Sequence, residues 1–305
     1  MSTEPSWDLY RTFAAVLREG SLSAAARMLG LTQPSVARHV EALEQAVGGT
    51  LFLRSPRGLS PTDRALALQP YAEDLVATSA ALLRTASADR GEIAGTVRIS
   101  ASEVIATEHL PPLLATMRRR HPRLSIELVA SDAVDDLLQR RADIAIRMVE
   151  PTQQALVARK LGVMQLGLYA HHDYLDLRGM PKTIADLVGH DLIGVDSRGS
   201  LSRAVLSALP GLDHADFALR VDSSVVQLAA IRAGFGIGIC QVAIALHDPM
   251  LKRVLPDAFA FDLPLWIVMH EDLRSNERYR AVFDALVEGF GHAVTVTSAS
   301  QPQEI

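Results

Sequence analysis

A chain of 305 residues that is 49% hydrophobic, with a mean hydropathy of +0.16, can bury at least two cores and is too long to be one small nucleic-acid-binding module. Its net charge of −5 supplies no general attraction for a polyanion, so any such partner must be met by locally placed arginines. Cys240 is the only cysteine, which excludes an intrachain disulfide and a Cys-rich metal site.

Residues 8–19 place Leu9, Phe13, Val16 and Leu17 on one helical face and read as a support helix, with Arg11 and Arg18 as solvated charges outside it. After Ser21, Leu22, Ala25, Ala26 and Leu29 recur at three- and four-residue spacing, and Gly30 can take the left-handed conformation that stops a helix. Thr32 then caps a second helix opening on Gln33 and Pro34, where a first-turn N–H has no helical partner to lose. Val36, Val40, Leu43 and Val47 form its apolar stripe, and Ser35, Arg38 and His39 its polar face. Small alanines permit close crossing of the two helices, and hydrogen-bonding side chains at the start of the second suit entry into a major groove. An ordinary helical hairpin has the same periodicity, so this stretch alone leaves both readings open. Residues 50–62 add an apolar strand, a turn flanked by Arg54 and Arg57, and a helix-capping residue, the pattern of a two-stranded wing.

At this point the chain resembles the LysR-type transcriptional regulators. The resemblance is carried by Ala24-Ala25-Ala26, Gln33-Pro34-Ser35, Arg38, Leu43-Glu44, Leu51-Phe52, Arg54 and Arg57, and covers about residues 7–290, most strongly at the N-terminus. It implies a winged helix-turn-helix over residues 6–62, a linker and dimerisation helix over 63–89, and a two-lobed α/β effector domain, periplasmic-binding-protein-like, over 90–292. In that division the first lobe takes about 90–163 and 264–292 and the second about 164–263, and residues 293–305 are expected to be a disordered tail. The implied partners are double-stranded DNA, a second copy of the chain in a dimer or tetramer, a small-molecule effector and RNA polymerase. Thr32, Gln33, Pro34, Ser35, Arg38, His39, Arg54 and Arg57 are the expected DNA contacts. Over residues 1–60 six arginines face five acidic residues, a net of +1, so base-edge contacts and doubling of the site must supply much of the affinity.

Residues 62–88 form the longest helical pattern of the N-terminal third, with Ala65, Leu68, Ala72, Leu75, Ser79, Leu82 and Ala86 alternating three- and four-residue steps as in a heptad seam. Leu68, Leu75 and Leu82 are the expected dimer contacts, and Pro70 should kink the helix without ending it. A polar, glycine-containing stretch over 88–95 marks a hinge. Beyond it the pattern alternates: strands over 97–100, 124–129 and 143–147 with helices over 105–120 and 134–141, then strands over 165–169, 192–195, 217–221 and 236–240 with helices over 184–188 and 225–233. A strand over 263–269 and a helix over 278–290 return to the first lobe.

In such a sheet protein ligands bind where strand C-terminal ends and helix N-termini face each other across a cleft. Ser100 and Ser102 after the first strand and Ser223 after another are the main effector candidates, with Arg147, Ser197 and Ser200 behind them. Plain helix capping uses the same residues. Asp222 beside Ser223 would repel an anion, so the effector need not be a simple carboxylate.

Enzyme readings find little support, and neither a catalytic set, a metal site nor a cofactor is expected. His171-His172-Asp173, the one histidine cluster, reads as a surface turn. Gly234-Phe235-Gly236-Ile237-Gly238 follows a helix and is a tight turn, not a nucleotide loop. No serine sits in an elbow motif. Cys240 lies in a strand-like run and is expected to be a buried, inert thiol. The longest apolar run, residues 235–246, is too short to span a bilayer, and residues 1–10 have no apolar leader, which together predict a cytoplasmic protein. The competing reading makes residues 90–290 a solute-binding or catalytic module preceded by a helical protein-docking domain. A gel shift that weakens with salt separates the two.

Overall fold

Local capping chemistry sets the N-terminal helices. In the computed structural model, which describes residues 4–55, 58–86, 93–132, 142–151, 156–195, 200–209, 211–212 and 216–299, α1 runs over Trp7–Glu19, α2 over Leu22–Leu29 and α3 over Gln33–Val47. The Ser21 hydroxyl accepts the Ala24 N–H at 3.1 Å and that of Thr32 accepts the Ser35 N–H at 3.3 Å, so both short helices start on a side-chain cap. Gly20 and Gly30 end α1 and α2 with φ of 67° and 68°, a conformation that costs a side-chain-bearing residue more than glycine. Phe13, Val16, Ala25, Ala26, Val36, Val40 and Leu43 close into one core, completed by Leu51 and Phe52.

The wing is an antiparallel pair, β1 (Phe52–Ser55) and β2 (Gly58–Pro61), with Ser55 opposite Gly58. Helix α4 (Asp63–Ala86) continues through Pro70. Its first turns belong to the N-terminal core: Ala65 and Ala72 are buried there and Leu68 packs against it. Leu75 and Leu82 are 44% and 65% exposed, so the expected seam divides, with Leu68 serving its own unit and the later leucines facing solvent.

The chain folds as two compact units divided between Ser87 and Ala88. The second is built on nine strands among the described residues, in the order β4-β3-β5-β11-β6-β9-β7-β8, with β10 also paired to β6. In chain order they and their helices are β3 (Gly95–Ala101), a π turn over Ile105–His109 leading into α5 (Leu110–Arg120), β4 (Leu124–Ala130), β5 (Ile144–Arg147), β6 (Leu156–His171), α6 (His172–Arg178), β7 (Leu192–Val195), α7 (Ser200–Ser207) and β8 (Phe217–Val221). Then come α8 (Ser224–Arg232), β9 (Ile237–Gln241), α9 (Val242–Ala245), β10 (Leu251–Val254), β11 (Phe261–His270) and α10 (Glu277–Ala299). Parallel trios β4-β3-β5 and β8-β7-β9 make the two lobes, and the long antiparallel pair β6-β11 runs between them. Val97, Ile99, Ile144 and Leu265 anchor the first lobe's core, and Leu168, Leu187, Leu192 and Phe259 anchor the second's.

Several expectations shift. The strand expected over 165–169 is the end of sixteen-residue β6, and the helix expected over 184–188 is a 3₁₀ turn, Ile184–Gly189. Helix α10 continues to Ala299 where a disordered tail was expected after residue 292, because neither a proline nor a capping turn interrupts it. The helix expected over 134–141 lies outside the described residues, as does most of the hinge stretch.

Candidate DNA-reading surface and effector cleft

Burial of Val36, Val40 and Leu43 fixes which face of α3 looks outward. Thr32, Gln33, Pro34 and Arg38 are exposed on that side. Ser35 and His39 are half-buried and work for the scaffold: the Ser35 hydroxyl lies 2.9 Å from that of Thr32, and His39 Nδ1 lies 2.9 Å from the hydroxyl of buried Thr12 on α1. The backbone of Arg54 lies on β1, while Arg57 lies outside the described residues.

Two residues tie the wing to the helices, and a third ties α4 to α3. The Glu44 carboxylate accepts the N–H groups of Leu51 at 2.7 Å and Phe52 at 3.3 Å. Thr62 donates to the Thr50 carbonyl at 3.0 Å and accepts the Ala65 N–H at 3.2 Å, so it joins the wing to α4. Arg64 donates to the Gly48 carbonyl at 2.7 Å and closes the end of α3. Glu44 appears in the sequence resemblance, but its role as the wing's anchor depends on a contact that residue spacing does not reveal.

In the second unit β3 and β5 are parallel neighbours, with Ser100 beside Ala145. Arg147, at the end of β5, therefore reaches Ser100: its guanidinium donates to the Ser100 hydroxyl at 2.7 Å and to the Ile146 carbonyl at 3.1 Å. Both residues are buried. Ser102 follows β3, is 4% exposed, and its hydroxyl has no hydrogen-bond partner among the described residues. Asp132, just after β4, accepts the Glu103 N–H at 3.3 Å, and burial raises its pKa from its ordinary value despite that hydrogen bond and the opposing field of Arg147.

Two polar straps cross from lobe to lobe. Ser223 caps α8 and donates to the Glu103 carboxylate at 2.5 Å, so this hydroxyl is committed and does not line the cavity. Arg232 makes two hydrogen bonds of 2.9 Å to Glu108 and one of 3.0 Å to Asp248. The paired guanidinium holds the Glu108 pKa below its ordinary value and raises that of Arg232.

Residues of both lobes line a cavity of about 450 Å³, a volume suited to a small organic ligand. Ser102, Asp132 and Arg147 line it from the first lobe, and several leucines with Phe217 line it from the second. Buried Gln227 and Gln241 also line it, and neither stood out in the sequence. Gln241 accepts from His109 at 2.8 Å if the histidine carries its proton on Nε2. Burial lowers the His109 pKa. Cys240 lines the same cavity, and burial pushes its thiol up to about 12, consistent with an inert group. Ser197 lies outside the described residues, and Ser200 begins α7.

His171-His172-Asp173 is not a surface turn but the junction of β6 and α6. His171 Nδ1 accepts the Asp173 N–H at 3.2 Å and the two histidine rings stack at 4.5 Å. Their ligating atoms gather within 4.8 Å, yet capping already uses His171 Nδ1 and His172 pairs with Asp173 at 2.9 Å. The glycine run after α8 is a tight turn as expected. Gly234 has φ of 73°, and a Cβ on Gly236 would meet the Asp191 carbonyl oxygen at 1.9 Å.

A capped helix pair with its polar face exposed, a wing pinned behind it, and a two-lobed sheet enclosing a ligand-sized cleft define a helix-turn-helix regulator with a small-molecule sensor. Residues 7–66 match the family model of the bacterial regulatory helix-turn-helix protein of the lysR family, and residues 90–291 match that of the LysR substrate binding domain. The chain belongs to the LysR family of DNA-binding transcriptional regulators. It is 28% identical over 288 residues to the regulator CrgA of Neisseria meningitidis serogroup C, covering 92% of this chain and 95% of that one. The uncharacterised regulator YhjC of Escherichia coli K12 is 30% identical over 265 residues, 84% and 88% of the two chains. The solved structure of Neisseria meningitidis CrgA superposes with a TM-score of 0.59 at 27% identity, over 93% of this chain and 98% of that one.

Proposed function

We propose that residues 6–62 read operator DNA, that residues 63–89 join two copies of the chain, and that residues 90–292 sense a small molecule held between the lobes. In this reading Gln33 and Arg38 meet base edges, Thr32 and Pro34 lie against the adjacent backbone, and Arg54 and Arg57 of the wing bind phosphate or the minor groove. The observation that supports it best is the sorting of α3, with Val36, Val40 and Leu43 buried and Gln33 and Arg38 left exposed beside a helix N-terminus. Ser35 and His39 act mainly by holding that helix in place. The effector is held from the first lobe by Ser102, with Ser100 and Arg147 as a preformed pair behind it. The protein works as a regulator and not as an enzyme, in the cytoplasm where the chromosome lies, as a dimer or tetramer that engages RNA polymerase.

Gel shifts across a salt series on the protected operator test the DNA assignment. Arg38→Ala should cost about 1–3 kcal/mol and relax sequence preference, whereas Arg57→Ala should weaken all sequences alike and lower the salt slope by about one. Unchanged operator affinity in a folded Arg38→Ala protein would remove Arg38 from the reading surface.

A further inference from the structure

The cleft cavity has walls of two chemical kinds. From the second lobe Leu187, Leu209, Leu212 and Phe217 offer a ligand only hydrocarbon, while Asp222, Gln227 and Gln241 of the same lobe add polar groups. Among the described residues its charged wall groups are Asp132, Arg147 and Asp222. The Arg147 guanidinium is turned onto Ser100 and the Ile146 carbonyl, and Arg147 and Asp132 lie close enough for the field of one to stabilise the charge of the other. Asp222 is exposed and keeps its hydration.

The rim charges of both signs are already engaged or hydrated, so a charged head group would lose its own water without gaining a free counter-ion, and would meet a like charge as well as an opposite one. A carboxylate faces Asp132 and Asp222, and an ammonium faces Arg147. A hydroxyl meets neither penalty. Ser102 is where it would bond, because the residue lines the cavity, is 4% exposed, and carries a buried hydroxyl with no hydrogen-bond partner among the described residues, which a small rotation of the side chain would offer to a ligand. One serine hydroxyl and one ligand hydroxyl can each donate or accept, so the pair satisfies both without importing charge.

Resting on the reading of the cleft as the effector site, we propose that it takes an uncharged, hydrocarbon-rich molecule with a hydroxyl end, the hydroxyl bonded to Ser102 and the hydrocarbon laid against Leu209 and Phe217. Octan-1-ol, octanoate and octylamine share one chain and differ in the head, so they separate the possibilities in thermal melts of the full chain. At a hundredfold excess over Kd, octan-1-ol should raise the melting temperature by roughly 5 °C. Octanoate and octylamine should bind at least about tenfold more weakly, the penalty for desolvating their charge. Two variants place the probe. Ser102→Ala removes the hydroxyl contact, Leu206→Trp narrows the cavity at another apolar lining residue, and each should reduce the octan-1-ol shift by more than half. A larger shift from octanoate or octylamine, or none from any probe, overturns the neutral-ligand inference and leaves the cleft as the sensor. An octan-1-ol shift that survives both variants overturns the cleft assignment as well.

Discussion

Arg38 and His39 are adjacent on α3, yet the helical turn sends them to opposite tasks. Arg38 is exposed, while His39 is held 2.9 Å from the Thr12 hydroxyl and braces α3 against α1. A polar face in sequence is thus a mixture of reading and bracing residues, and only packing sorts them. His109 is another bracing residue, set behind the cavity wall and bonded to Gln241. Burial lowers its pKa in the fold, so between that value and the ordinary 6.5 the unfolded chain binds the proton that the folded chain excludes. Stability must then fall as the pH drops below 6.5 through this window, with a slope no steeper than about 1.4 kcal/mol per pH unit for one proton. Glu108, whose charge favours the imidazolium, and His247, which opposes it, are its charged neighbours. Urea midpoints at a series of pH values between 7.5 and 5 measure this slope, and His109→Gln should flatten it. Part of the slope will remain, because His190 is shifted in the same direction, chiefly by burial. An unaltered slope in His109→Gln would assign the effect elsewhere.

At the scale of elements, what could be read in the sequence was whatever is local. Ser21, Thr32, Gly20 and Gly30 sit within one turn of the helix ends they set, and α1 to α3 fall close to their expected limits. Strand β6 was legible only over its last third, because Arg159 and Lys160 interrupt the apolar pattern and its first half is specified by pairing with β11, about a hundred residues later. The cavity wall was hidden for the same reason: Asp132, Phe217, Gln227 and Gln241 come from separate elements, while Ser100, Ser102 and Arg147 sat at strand ends that the sequence marks. The strap from Arg232 to Glu108 is likewise a long-range pairing. It joins α8 to the π turn before α5, and Arg232 is 38% exposed, so solvent screening limits its worth to about 1 kcal/mol. Since the strap lowers the Glu108 pKa, its contribution is present above pH 4.5 and disappears as the pH falls through the folded value. Arg232→Gln should accordingly cost about 1 kcal/mol at neutral pH and nothing in strong acid, where the native and variant denaturation curves converge. A difference that persists in acid would mean that the arginine acts through its packing and not through its charge.

At the scale of the whole molecule, a module with a net charge of only +1 over its first sixty residues cannot hold a specific site on one recognition helix. In the proposed reading, two modules at a fixed spacing on a pseudo-palindromic operator would supply what one lacks, which would make the joining segment a condition of function. Helix α4 suits that role beyond its first turns. Ala65, Leu68 and Ala72 are taken up by the N-terminal core, while Leu75, Leu82 and Leu83 stay 44%, 65% and 66% exposed, more apolar surface than a solitary helix has reason to show. Charging Leu68 would damage the winged module itself, so the informative change lies further along. Leu75→Glu combined with Leu82→Glu would put carboxylates in an apolar contact at a cost of several kcal/mol if α4 pairs with a second copy, and at almost none if it faces water. The double variant should therefore sediment as a species with the α4 contact broken, lose cooperative footprinting of the two half-sites, and keep the thermal response of its cleft to octan-1-ol. A double variant that still sediments like the parent and protects both half-sites would place the joining surface on another element.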